Sequence, residues 1–125
     1  MCIRDRHGAR LHRDLFVNVL KLINYHPMLS TELPSAGRIS FLHQAQYQRY
    51  VAHLIYVPPI QRGECEVIED LPELREVPLI VDLPEVIKRA FLVPDEVELP
   101  LCHVDGKLSL TIPAFSCHCA VVLEY

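Results

Sequence analysis

LPLCHVDGKLSLTIPAFSCHCAVVL, residues 99–123, is the stretch whose reading decides the fold. Asp105-Gly106 sits between two runs of alternating apolar and polar residues. That dipeptide favours a two-residue hairpin, because the turn needs positive φ at both central positions. The turn fixes the pairing: Val104 faces Lys107, His103 faces Leu108 and Cys102 faces Ser109. One face then collects Leu99, Leu101, His103, Leu108, Leu110 and Ile112, and the other Pro100, Cys102, Val104, Lys107, Ser109 and Thr111. The leucine face is the core face. In the last run Cys117, Cys119, Val121 and Leu123 share the inward parity, while His118, Ala120, Val122 and Glu124 point outward.

The same stretch raises the question of a metal centre, since Ser116-Cys117-His118-Cys119 follows a second Cys-His pair, Cys102-His103. A tetrahedral zinc needs ligands that converge on one point, with sulfur at ~2.3 Å. Alternation sends Cys102 and His118 outward and Cys117 and Cys119 inward. In a meander His103 lies beside the turn and Cys117 enters at the far end, roughly 10–15 Å away at ~3.4 Å per residue. The thiols are therefore expected to be small buried hydrophobes, with no metal ligand and no cofactor. A sheet crossing would reopen the metal reading.

Upstream, short apolar runs recur between breakers: Ile39–His43, Tyr47–Val57, Cys65–Ile68, Val77–Leu83, Val86–Val93 and Glu98–Val104. Pro58-Pro59 and Gly63 interrupt them, and the prolines fall between runs or at their edges. VIKRAFL, residues 86–92, alternates poorly and is also compatible with a helix. The expected fold is mainly β: one N-terminal α-helix followed by an antiparallel β-sandwich of about eight short strands. The helix runs from Arg10 to Ile23 and ends at Asn24 and Pro27. Leu11, Leu15, Val19 and Leu22 form one stripe, and Phe16, Leu20 and Ile23 a second beside it. Only Arg10, Asp14, Asn18 and Lys21 make a polar strip. Such a helix can lay one stripe on the sandwich while the other faces something else. Leu15, Phe16, Val19, Leu20 and Ile23 are the candidate domain-interface residues, with self-association through them as a consequence. MCIRDRHG, residues 1–8, shows no periodicity and is set aside as a non-native scar. Residues 9–36 then read as a terminal helix and linker, and residues 37–125 as the sandwich.

The chain's 125 residues, half of them apolar, allow one folded domain. A net charge of −4 without charge runs gives no footprint for nucleic acid or an anionic membrane. Five cysteines without a framework fit a reducing compartment, and a cytoplasmic location is expected. The acid pairs Glu64/Glu66, Glu69-Asp70 and Asp95-Glu96 stand beside turn signals, where carboxylates meet water, so no catalytic residue is assigned. The four glycines are isolated, which excludes a phosphate loop. His53, between Val51 and Ile55 on one strand face, reads as a hydrogen-bonded core histidine. Tyr50 and Tyr56 share a face and are the one candidate platform for a sugar.

Several segments carry a family resemblance. HRDLFVNVLKLI (residues 12–23) resembles the last helix of the amidotransferase-like trimerisation domain of β-galactosidase-type multidomain glycoside hydrolases. YVAHLIYV (50–57), VIEDLPELREVPLIVDLP (67–84) and residues 99–125 resemble strands of the small C-terminal β-sandwich that closes such enzymes. Ile55 stands where the family pattern has Asn before Tyr56. The resemblance implies a non-catalytic structural domain whose partners are the upstream catalytic and trimerisation domains of the same parent chain. It carries over no catalytic residue, because in the family those belong to an upstream TIM barrel. A carbohydrate-binding module and a Cys/His metal-binding domain are the alternatives.

Overall fold

The structure, a computed structural model, describes residues 10–23 and 25–125. Asn24, read above as a helix stop, and residues 1–8, set aside as a scar, lie outside the described residues. Among the described residues one helix, α1 (Arg10–Leu22), precedes eleven strands: β1 (Leu29–Thr31), β2 (Gly37–Gln44), β3 (Arg49–Tyr56), β4 (Ile60–Arg62), β5 (Cys65–Val67), β6 (Leu74–Val81), β7 (Arg89–Val93), β8 (Val97–Glu98), β9 (Cys102–Val104), β10 (Lys107–Phe115) and β11 (Cys117–Glu124). One sheet has the order β1-β6-β10-β9, a second β2-β3-β11-β7-β8, and β4-β5 stands as a separate ribbon. Every pairing is antiparallel.

The Asp105-Gly106 hairpin pairs as its turn chemistry requires, with Lys107 against Val104, Leu108 against His103 and Ser109 against Cys102. Both turn residues have positive φ, 52° and 78°, which is the primed geometry that matches strand twist. The strands beyond the expected eight are short: β1, β4 and β8 have two or three residues each. Too few residues show period two in them to stand out from loop sequence. β1 lies in the stretch read as a linker, hydrogen-bonds along β6 and adds the Thr31 hydroxyl, which donates to the Pro78 carbonyl at 2.7 Å. Residues 86–92 are not helical; β7 begins at Arg89. Pro78 and Pro113 stand inside β6 and β10 rather than at strand edges. Glu76, at positive φ beside the unpaired Pro113, marks a local irregularity in that pairing.

The largest departure from the expected meander is at Ser116. β10 pairs in the four-stranded sheet as far as Phe115, whereas β11 pairs in the five-stranded sheet from Cys117 onward. The chain changes sheets in one tight turn: the His118 N–H donates to the Ser116 carbonyl at 2.7 Å and Cys117 has φ 62°. An i to i+2 bond around a residue of positive φ is a γ-turn, a conformation few non-glycine residues adopt.

Between the sheets lies one core, in which Leu54, Leu79, Leu110, Ile112, Val121 and Leu123 are almost fully buried. Leu99, Leu108, Leu110 and Ile112 take the core face assigned above, but His103, at the hairpin end, is exposed. β11 is buried on both sides. Cys119, Val121 and Leu123 face the core, while Ala120 and Val122 pack with Val51 and Phe91 on the outward face of the sheet. Outward parity was right for Ala120 and Val122; exposure was not, because flanking β3 and β7 supply side chains that cover a central strand. Arg89 extends this cover, its guanidinium 4.6 Å from the Phe91 ring centre.

α1 joins neither cluster. Leu11 and Leu15 of one stripe are 79% and 64% exposed, and Phe16 and Ile23 of the other 62% and 69%. Neither stripe is laid on the sandwich as anticipated, since two sheets already close the core without a third layer. The face assignment has a direct test. Leu110→Ala, in the core, is expected to lower stability by about 2–5 kcal/mol in urea denaturation. Ile80→Ala, on the outward face of β6, is expected to change it by no more than about 0.5 kcal/mol.

Candidate functional site

The residues that sequence reasoning singled out fall in four separate places. Cys102 and His118 are exposed, Cys119 is buried, and Cys117 is half-buried in the γ-turn. The sheet crossing does not gather them: among the described residues no group of three or more His, Cys, Asp or Glu side chains is placed to hold an ion. Burial pushes the Cys119 thiol up to about 11, so at neutral pH it is a protonated hydrophobe rather than a thiolate. His118 has a different partner. Its Nε2 lies 3.1 Å from Nδ1 of His53, on the outward face of β3. His53 is hydrogen-bonded as expected but stands outside the core, half-buried.

Of the acid pairs singled out above, Glu69 is engaged with a cation at the surface, and so are several other carboxylates. Arg62 makes two bonds to Glu69, at 3.0 and 2.7 Å, which raise its pKa. Arg75 meets Glu73, and Lys107 lies 3.3 Å from Asp82. Arg89 bridges Glu98 at 2.9 Å and Glu124 at 4.0 Å. Each of these pairs is exposed, a setting in which an ion pair contributes little to stability. A general acid needs a carboxyl whose surroundings hold its proton.

The tyrosine platform is not available to a ligand. Tyr50 is 3% exposed and belongs to the core. Its ring stacks on Phe41, with centroids 5.3 Å apart, and on His43 at 4.3 Å. Its hydroxyl donates to Glu85 at 2.9 Å. Burial, and then the bond to and charge of Glu85, push the Tyr50 hydroxyl up to about 12. His43 Nε2 and the Tyr125 hydroxyl, 3.0 Å apart, complete an aromatic cluster at the end of the sandwich. Sequence reasoning missed Glu85 and Tyr125 in this cluster, because a contact 35 residues distant in the chain leaves no local signal.

The five candidate interface residues are brought together on α1. Leu15, Phe16, Val19 and Ile23 are exposed and Leu20 is half-buried. Leu15, Phe16 and Val19 line, with His12, a shallow concavity of about 290 Å³. Exposed large apolar side chains in one continuous patch mark an interaction surface on a folded protein. No helix among the described residues is long and apolar enough to cross a membrane.

Cys119 and Tyr50 are held neutral by the fold, which sets the sign of an alkaline dependence. Each binds a proton in the native state at a pH where the unfolded chain has released it, so stability falls as pH rises. The windows run from 9 to about 11 for Cys119 and from 10 to about 12 for Tyr50. Urea midpoints are expected to fall through these windows, with a shallower fall in Cys119→Ala in the first and in Tyr50→Phe in the second.

A scan against protein-family models and a search of curated proteins return no match. Among solved structures the chain is similar to alpha-L-fucosidase isoenzyme 2 from Paenibacillus thiaminolyticus, with 35% sequence identity and a TM-score of 0.80. The match covers 89% of this chain and 17% of the fucosidase chain. The chain is thus related in sequence and fold to a small part of a glycoside hydrolase.

Proposed function

We propose that the chain is a non-catalytic structural domain at the C-terminal end of a carbohydrate-active glycoside hydrolase, of the β-galactosidase trimerisation-domain type. The observation that carries this reading is the fucosidase match, in which almost the whole chain corresponds to about a sixth of a glycosidase. Its catalytic carboxylates would then lie elsewhere in the parent polypeptide. The exposed ion pairs of Glu69, Glu73, Glu98 and Glu124 agree with that, since none of these carboxylates lies in an enclosed site. α1 supplies the second support. Its exposed Leu15, Phe16, Val19 and Ile23, with Leu20, form the surface through which the sandwich meets the upstream catalytic and trimerisation domains.

Two measurements test the reading. The isolated chain is expected to hydrolyse neither aryl α-L-fucosides nor aryl β-galactosides; turnover that is lost on mutating one of its own acidic residues would overturn it. With no parent domain to cover α1, the chain is expected to self-associate as its concentration rises, followed by light scattering. Phe16→Ser with Leu20→Ser is expected to restore the monomer without changing its unfolding free energy by more than about 0.5 kcal/mol, because these side chains lie outside the core. A wild-type chain that stays monomeric at high concentration would remove α1 from the proposed interface.

A further inference from the structure

We propose that His53 and His118 form a two-histidine site for a divalent transition metal on the outward face of the five-stranded sheet. β3 and β11 are neighbours, with His53 opposite Ala120 and His118 opposite Ile55. The two histidines therefore stand on one face in adjacent rows, diagonal to each other. Nδ1 of His53 and Nε2 of His118 are 3.1 Å apart, the ring centroids are 5.4 Å apart, and the planes differ by 16°. The nitrogens point at one another in nearly a common plane. Without an ion, one donates its N–H to the other.

The same spacing is the bite of a chelate. Two imidazole nitrogens bound to zinc at about 2.0–2.1 Å, and set at the angles of octahedral or tetrahedral coordination, stand about 2.9–3.4 Å apart. The observed 3.1 Å falls inside that range. The centroid spacing also needs no change. With the rings 5.4 Å apart, an ion set off the line between them, about 2.05 Å from each nitrogen, subtends a near-tetrahedral angle once both rings swing toward it and the nitrogens part to roughly 3.5 Å. Binding needs both facing lone pairs, so the ring that carries its proton on the facing nitrogen moves it to the far one. A neutral pair thus takes the ion with no net proton release.

The base beneath the site is fixed and the approach is open. Val51, Ala120 and Val122 around it are buried, whereas His53 is half-buried and His118 exposed, which leaves the remaining coordination positions to water. The neighbouring row carries Arg38, whose guanidinium is drawn to the Ser35 and Gly37 carbonyls at 3.4 and 3.0 Å. Glu124, at the other end of β11, is paired with Arg89. Imidazole donors select zinc, nickel or copper(II) and not calcium or magnesium, which demand oxygen ligands. The site is independent of the proposed enzyme context.

The test is a titration of the reduced chain with zinc chloride and with nickel chloride, followed by imidazole NMR resonances and calorimetry. Expected is saturable binding near one equivalent, in which the His53 and His118 rings respond together and before those of His12, His26, His43 and His103. His53→Gln and His118→Gln are each expected to weaken binding at least about tenfold, the least that losing a ligand should cost when losing a supporting contact costs as much. Cys102→Ser, Cys117→Ser and Cys119→Ser should leave it unchanged. Should either histidine variant fail to fold, His53→Asn and His118→Asn serve in its place. If the His53 and His118 resonances stay still at millimolar zinc, or if the histidine variants bind as the wild type does, the pair is a hydrogen bond only and the proposal fails.

Discussion

The C-terminal strand is buried on both faces, and the rest of the sandwich depends on it. β11 lies between β3 and β7, so it joins the β2–β3 hairpin to the β7–β8 hairpin. Without it the five-stranded sheet is two separate pairs, each too small to be stable alone in water. Val121 and Leu123 are wholly removed from solvent, and full burial of such side chains contributes about 1.5–3 kcal/mol each. Ala120 and Val122 add a second apolar contact on the reverse side. The strand is also tied at its C-terminal end: the Lys88 N–H donates to the Glu124 carbonyl, and the Tyr125 N–H to that of Gln48. The γ-turn at Ser116–His118 is what delivers the strand to this place, because it carries the chain from one sheet into the other within a single residue.

Local chemistry explains which parts of this were legible from residues alone. The Asp105-Gly106 turn set the register of three residue pairs, since a two-residue primed turn leaves no freedom in pairing. Core faces of β10 followed from alternation. The sheet crossing did not, because Phe115-Ser116-Cys117 continues an extended pattern and has neither glycine nor proline where the backbone turns back. A cysteine at positive φ is held there by the pairings on each side rather than by its own preference. Period two also cannot tell an exposed outward face from one covered by neighbouring strands, which is why Ala120 and Val122 read as solvent-facing.

The cysteine-histidine stretch shows the same division. Parity placed Cys119 in the core and His118 outside it, and both are so. The partner of His118 was out of reach, since His53 is 65 residues away and the pairing of β3 with β11 depends on the crossing. The aromatic cluster behaves likewise. Tyr50 and Tyr56 do share a face, but that face is the inner one, so an apparent ligand platform is in fact packing around a buried hydroxyl satisfied by Glu85.

The contrast between the sandwich and α1 bears on function more than any single side chain. The sandwich builds its core from residues outside α1 and leaves no buried polar side-chain atom among the described residues without a hydrogen bond. No residue of the helix belongs to that core. Yet α1 and the residue after it expose Leu11, Leu15, Phe16, Leu22 and Ile23, each more than 60% open. Packing on the sandwich does not account for those residue choices, and an isolated helix of this length is marginal in water. Exposed apolar side chains gathered in this way are the usual mark of an interaction surface on a folded protein. The proposal that α1 meets the remainder of a larger polypeptide rests on this contrast, together with a match that spans 17% of the fucosidase chain.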